Sequence, residues 1–169
     1  MHMEAILSEI RQQLPAALTV DAATVETVWG EPGAYVLLMD LESPVRFARK
    51  GIAATSLSGW LVYAGSARGR GGIGARLRRH FRQDKKVHWH ADELTNTAAR
   101  LSALAIPEGA ECSIVARLTA SGRFETALAG FGSSDCRCCQ AHLLRPQGAL
   151  IEATGSRSDE RKRPRAQNY

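Results

Sequence analysis

Residues 62–82 read VYAGSARGRGGIGARLRRHFR, with five glycines leading from an apolar stretch into an arginine-rich segment. A guanidinium offers a planar fork of donors to two phosphate oxygens and stays charged. The apolar spacing predicts a helix over Ile73–Arg82. Arg76 stands early in it, where the helix dipole also favours an anion. His80 is four residues further on and shares that face. It is suited to hold phosphate or to give a proton to a leaving oxygen, and packing between helices is the alternative. Arg78, Arg79 and Arg82 are candidates for flanking backbone phosphates, or for solvent. Tyr35 and Tyr63 lie on predicted neighbouring strands, which could bring two phenol oxygens to one phosphate. A free phenol has a pKa of about 10 and needs a nearby cation to act as a base.

Two further clusters could do chemistry. His88, His90 and Asp92, in VHWHAD, echo the His-x-His-x-Asp of binuclear zinc hydrolases. The chain holds few other histidines to complete such a site, namely His2 and His142 besides His80. The other reading is that His88 and His90 flank a substrate groove, Trp89 anchors the core, and Asp92 orients a histidine or caps a helix. The second cluster is Asp135, Cys136, Cys138, Cys139 and His142, which Cys112 could complete. Soft thiolates with an imidazole suit zinc, and the candidate ligands are Cys112, Cys136, Cys138 and His142. Free thiols packed beside the core are the alternative. Ser134 and Asp135 are candidates to bind the arginine helix or a phosphate.

The elements that must position these groups follow from local pattern. The chain has 169 residues, enough for one ordinary domain. It shows no apolar run of transmembrane length and no apolar signal core, so a cytoplasmic protein with reduced thiols is expected. Its net charge of +5 is uneven. Residues 68–86 hold eight Lys/Arg against one acid, and residues 157–169 hold five against two. Such concentration suggests a patch facing a polyanion. Ile6, Leu7, Ile10 and Leu14 predict an N-terminal helix. Gly33–Leu41 reads as a buried strand, with Val45–Ala48 a short strand and Leu61–Ala64 a stronger one pairing with the first. A short helix over Ala91–Leu94, a strand over 99–106, a helix over Glu111–Leu118, a loop over Phe131–His142 and a final strand at 142–144 complete the reading. The expected organisation is a helical extension over 1–28, a domain over 29–150 and a disordered basic tail over 151–169.

Taken in order, GAY (33–35), YAGSA (63–67), RLRRH (76–80), HWHAD (88–92), EC (111–112) and FGSSDCRC (131–138) resemble the GIY-YIG nuclease superfamily. The chain more closely resembles an under-characterised bacterial and archaeal branch of it, a domain of unknown function sometimes fused to repair enzymes of the endonuclease III type. Alanine stands for isoleucine in both signature tripeptides. The resemblance implies an α/β (α+β) fold with a small, mainly antiparallel central sheet flanked by helices. It implies a metal-dependent endonuclease that hydrolyses DNA phosphodiesters, in repair or on branched or damaged DNA, with RNA not distinguished. Tyr35 would be the general base, Tyr63 would position the substrate together with His80, and Arg76 would stabilise charge at phosphorus. Glu111 would be the ligand of Mg²⁺ or Mn²⁺, with Glu93 and Glu125 as the reserve acids. The rival classes are a non-catalytic nucleic-acid-binding module and a zinc hydrolase using His88, His90 and Asp92.

Overall fold

The structure is a computed structural model that describes residues 2–148; the tail expected over 151–169 lies outside them. The fold is α+β: a six-stranded, wholly antiparallel sheet flanked by four helices. In chain order the elements are α1 (His2–Gln13), β1 (Leu18–Val20), β2 (Gly33–Arg49), β3 (Ile52–Ser66), α2 (Gly72–Phe81), α3 (His90–Thr97), β4 (Arg100–Pro107), α4 (Glu111–Ala120), β5 (Phe124–Thr126) and β6 (Leu143–Pro146). The sheet order is β1-β4-β2-β3-β6-β5. Among the described residues no helix is long and apolar enough to cross a membrane.

The long β2–β3 hairpin dominates the sheet. The two strands expected at Gly33–Leu41 and Val45–Ala48 are one strand, because pairing with β3 resumes after a register shift between Leu41 and Val45. Pro44 cannot donate to a ladder, so the irregularity falls where the backbone donor is missing. The partner strand likewise runs well beyond Leu61–Ala64. The residues Ala34–Leu41 of β2 are all buried, since the sheet is covered on both faces. On one face Tyr35, Leu37, Met39 and Leu41 pack with Ile73 and Leu77 of α2, Leu94 of α3 and Phe131. On the other, Ala34, Val36 and Leu38 pack with Ile6, Leu7 and Ile10 of α1 and Ile114, Val115 and Leu118 of α4. The first 28 residues therefore supply a helix to one face and, through β1 beside β4, an edge strand to the sheet. The short strands β1 and β5 escape sequence reading because three residues are too few to show an alternation.

The glycine-rich turn has a packing explanation. Gly71 and Gly72 have φ of 85° and 56°, where only glycine is unstrained. A Cβ on Gly72 would fall 2.2 Å from the Gly30 carbonyl oxygen, and one on Gly74 2.4 Å from that of Val28. The start of α2 is thus pressed onto the segment 28–31. There Ile73 donates its N–H to Glu31 O (2.9 Å) and Gly74 to Trp29 O (3.1 Å). The anion site expected at this helix start is therefore corrected. Its backbone donors are spent on carbonyls.

Candidate functional site

Tyr35 and Tyr63 leave the same face of adjacent strands. Tyr35 pairs with Gly65 and Tyr63 with Leu37, so the two rings are diagonal neighbours with centroids 6.4 Å apart. Gly65 has no side chain for a reason: a Cβ there would lie 2.2 Å from Tyr35 Cζ. Gly132 plays the same part for Tyr63, whose ring would be 2.7 Å from an added Cβ. Both phenols stay protonated. Burial, aided by Tyr63, raises Tyr35 well above its ordinary value. Burial also raises Tyr63, to about 12, against the pull of the Arg76 cation.

His80 is fully buried, and its Nε2 is 2.9 Å from the Tyr35 hydroxyl. Burial pushes its pKa down to about 3, with Asp92 opposing that shift. A neutral, buried imidazole bonded to Tyr35 is not a proton donor to a leaving oxygen at neutral pH, and it does not reach into solvent for phosphate. The expected substrate role of His80 is corrected to positioning of Tyr35. Behind it stands Asp92, also buried, with Oδ1 4.0 Å from His80 Nδ1; neither atom has another hydrogen-bond partner. A proton on Nδ1 facing Asp92 leaves Nε2 to accept from Tyr35. Asp92 Oδ2 accepts from Arg79 (2.7 Å) and from the backbone N–H of His88 and Trp89 (2.9 Å each), capping the start of α3. These bonds hold its carboxyl below the ordinary value despite the opposing, and largest single, influence of burial.

The arginines of α2 divide by partner. Arg79 is tied to Asp92 and to Lys86 O (3.0 Å), and Arg78 to Val28 O (3.2 Å). They build the domain, and the expectation that they contact phosphates is corrected accordingly. Lys85 is buried, with Nζ 2.9 Å from both Arg82 O and Asn96 Oδ1. Arg68, Arg70, Arg82 and Lys86 are exposed and carry the surface charge. Arg76 is half-buried; its guanidinium stacks on the Trp89 ring at 4.2 Å and makes no hydrogen bond or ion pair among the described residues. Trp89, expected in the core, is instead a half-buried shelf that also carries Arg79 at 4.6 Å. The spacing of Arg76 and Arg79, one helical turn apart, was the available signal for a flat partner.

Arg76, Glu111 and both tyrosines line one cleft of about 580 Å³, together with Ser66, His88, His90, Ser134 and Asp135. Glu111 opens α4 and is half-buried; its carboxylate has no hydrogen bond or ion pair among the described residues. The reserve acids are engaged outside this cleft, Glu93 with Arg49 (2.8 Å) and Glu125 with Arg145 (3.7 Å). His88 is exposed. His90 accepts from the Gly132 N–H through Nδ1 (3.2 Å) and packs edge-on to Phe47. With Asp92 consumed by Arg79 and backbone donors, the His88–His90–Asp92 zinc arrangement does not assemble. The sulfurs of Cys112, Cys136, Cys138 and Cys139 do converge at the cleft wall, all within 4.8 Å of one another. His142 is buried behind them, its Nε2 3.9 Å from Cys112 Sγ. Backbone N–H groups of Cys138 and Cys139 lower the Cys136 thiol to about 5.

Comparison with known proteins adds one finding. The family described as "Domain of unknown function DUF123" matches residues 34–159, about three quarters of the chain. The chain belongs to that family. The match begins inside β2 and takes in every residue of the cleft, while α1 and β1 precede it. No curated protein and no solved structure matches this DUF123 chain.

Proposed function

We propose that this protein is a metal-dependent endonuclease of the GIY-YIG type, hydrolysing phosphodiester bonds of DNA in the cytoplasm. One observation carries the reading. A guanidinium and a carboxylate that have no ion-pair partner among the described residues, and two phenols, drawn from β2, β3, α2 and α4, face a single open cleft. Phosphodiester hydrolysis needs a positioned water, charge stabilisation at phosphorus and help for the leaving oxygen.

In this reading Arg76, stiffened by stacking on Trp89, binds two non-bridging phosphate oxygens and meets the charge that develops there. The donor set suits Mg²⁺ or Mn²⁺: Glu111 is a hard ligand with no partner among the described residues, in a cleft with room for the waters such ions keep. When bound, the cation supplies Lewis-acid neutralisation of the phosphate. Tyr35, held in place by donating its hydroxyl to His80 Nε2 (2.9 Å), accepts a hydrogen bond from the attacking water and orients it, and the water's proton leaves to solvent through the open cleft. Tyr63 orients the phosphate from the neighbouring strand.

The test is incubation with supercoiled, nicked and branched DNA, with and without Mg²⁺ or Mn²⁺. Metal-dependent cutting that is lost in Arg76→Ala and Glu111→Gln is the expected outcome. Salt-sensitive binding without cutting, unchanged by either substitution, would replace the enzyme with a nucleic-acid-binding module.

A further inference from the structure

We propose that Cys112, Cys136, Cys138 and Cys139 bind one structural zinc ion as a tetrahedral tetrathiolate, at the wall of the cleft and separate from Glu111. The proposal does not rest on the nuclease reading. The four side chains come from the start of α4 and from the loop 131–142, and all four are free cysteines. Neighbouring sulfurs stand 3.5 Å apart for Cys112 and Cys136, 3.4 Å for Cys136 and Cys138, and 3.9 Å for Cys138 and Cys139. Zinc–sulfur bonds of about 2.3 Å in a tetrahedron put sulfurs roughly 3.8 Å apart, within the observed span. A disulfide needs about 2.05 Å. Sulfurs this close surround one ion; an iron–sulfur cluster, with its own atoms between the ligands, spreads them further.

The surroundings agree with a closed metal site. Cys139 donates its N–H to Cys136 Sγ at 3.3 Å, a bond that a thiolate accepts better than a thiol. Cys139 takes the place that His142 held in the ligand set expected from sequence. His142 becomes a supporting group whose Nε2 can donate to Cys112 Sγ. Between Phe131 and Ala141 the loop buries no apolar side chain, only Ser133. A crosslink to α4 is what this segment lacks from hydrophobic packing. Binding releases the thiol protons and forms four zinc–sulfur bonds with no change of oxidation state. The ion would then hold the wall carrying Ser134 and Asp135 against Cys112, and so fix Glu111 next to it.

The experiment uses the full chain, purified under reducing conditions without chelator. Elemental analysis should find one zinc per chain. Titrating the thiols with an organomercurial should release that zinc as four thiols react. Replacement by Co²⁺ should give the intense visible bands of a tetrahedral thiolate site. Cys112→Ser and Cys136→Ser should lose the metal, whereas His142→Gln should keep it. Should the serine variants fail to fold, the wild-type stoichiometry and cobalt spectrum decide the matter. Metal-free, fully folded chain with four freely alkylated thiols would overturn the proposal. So would two disulfides, one equivalent of iron in place of zinc, or zinc retained when Cys112 and Cys136 are both replaced.

Discussion

The two faces of the sheet share strands but not materials. Behind it, α1 and α4 lay Ile6, Leu7, Ile10, Ile114 and Leu118 on Ala34, Val36 and Leu38, and the buried polar groups of that face, Asp40 and Ser102, lie along the strands, Asp40 tied to Arg100 (3.0 Å). In front, α2 and α3 cover Tyr35, Leu37 and Met39, yet that layer also buries His80, Lys85 and Asp92. Each of these polar groups costs desolvation that hydrogen bonds only partly return. His80 Nδ1 and Asp92 Oδ1 are still without a partner within bonding distance. A fold that needed only stability would fill such positions with leucine. The rear face supplies cohesion, while the front trades cohesion for a polar chain ending at Tyr35 and for one guanidinium left open.

The contrast can be broken or sharpened at four points. Leu38→Ala, in the rear core, should cost about 2–5 kcal/mol in urea unfolding. DNA cutting per folded molecule should remain; a matching loss of cutting would deny the division of labour. Arg76→Ala, in front, should do the reverse. Cutting should fall roughly 100-fold or more, about 2.7 kcal/mol of barrier, while unfolding stability moves by under about 1 kcal/mol. Unchanged cutting would remove the guanidinium from the chemistry. Gly65→Ala forces a Cβ into the Tyr35 ring. It should destabilise by about 1–3 kcal/mol and also slow cutting, because the displaced ring is the one bonded to His80. Equal tolerance to Ala at Gly65 and at exposed Gly148, whose added Cβ would meet nothing within 4 Å, would contradict that.

The smallest effect is a dependence of stability on pH. His80 is held near 3 when folded and returns to about 6.5 when the chain unfolds. The unfolded chain therefore takes up the proton first as pH falls. Stability from this residue is level above about pH 6.5 and declines as pH drops towards 3. The loss is about 1 kcal/mol between pH 6.5 and 5.5. Asp92 raises the His80 pKa and so softens the decline, whereas Lys85, Arg79 and Arg76 steepen it. Melting temperatures across this window should slope for the native chain and flatten in His80→Gln. Identical slopes would mean that another histidine carries the effect; His90, also lowered by burial, is the first alternative.

The local elements were legible in the residues alone. Helices at Ile6–Leu14, Ile73–Arg82 and Glu111–Leu118 and the strands at Gly33–Leu41 and Leu61–Ala64 follow from spacing of apolar side chains, which each short segment carries within itself. The mainly antiparallel sheet and the joint candidacy of Tyr35, Tyr63, Arg76 and Glu111 came instead from the resemblance carried by the ordered motifs, not from periodicity. What became of each polar group was decided by partners far along the chain. Arg78 ends on a carbonyl 50 residues before it, and His80 on a phenol 45 residues before it. Cys112 meets Cys136 across 24 residues. The start of the arginine helix was expected to favour an anion, and its Gly72 and Gly74 proved to be clearance for segment 28–31. Periodicity reports which side of an element faces inward. It is silent on which charge is met there, because burial and hydrogen bonding are set by the packed neighbours, and those exist only once the chain has closed on itself.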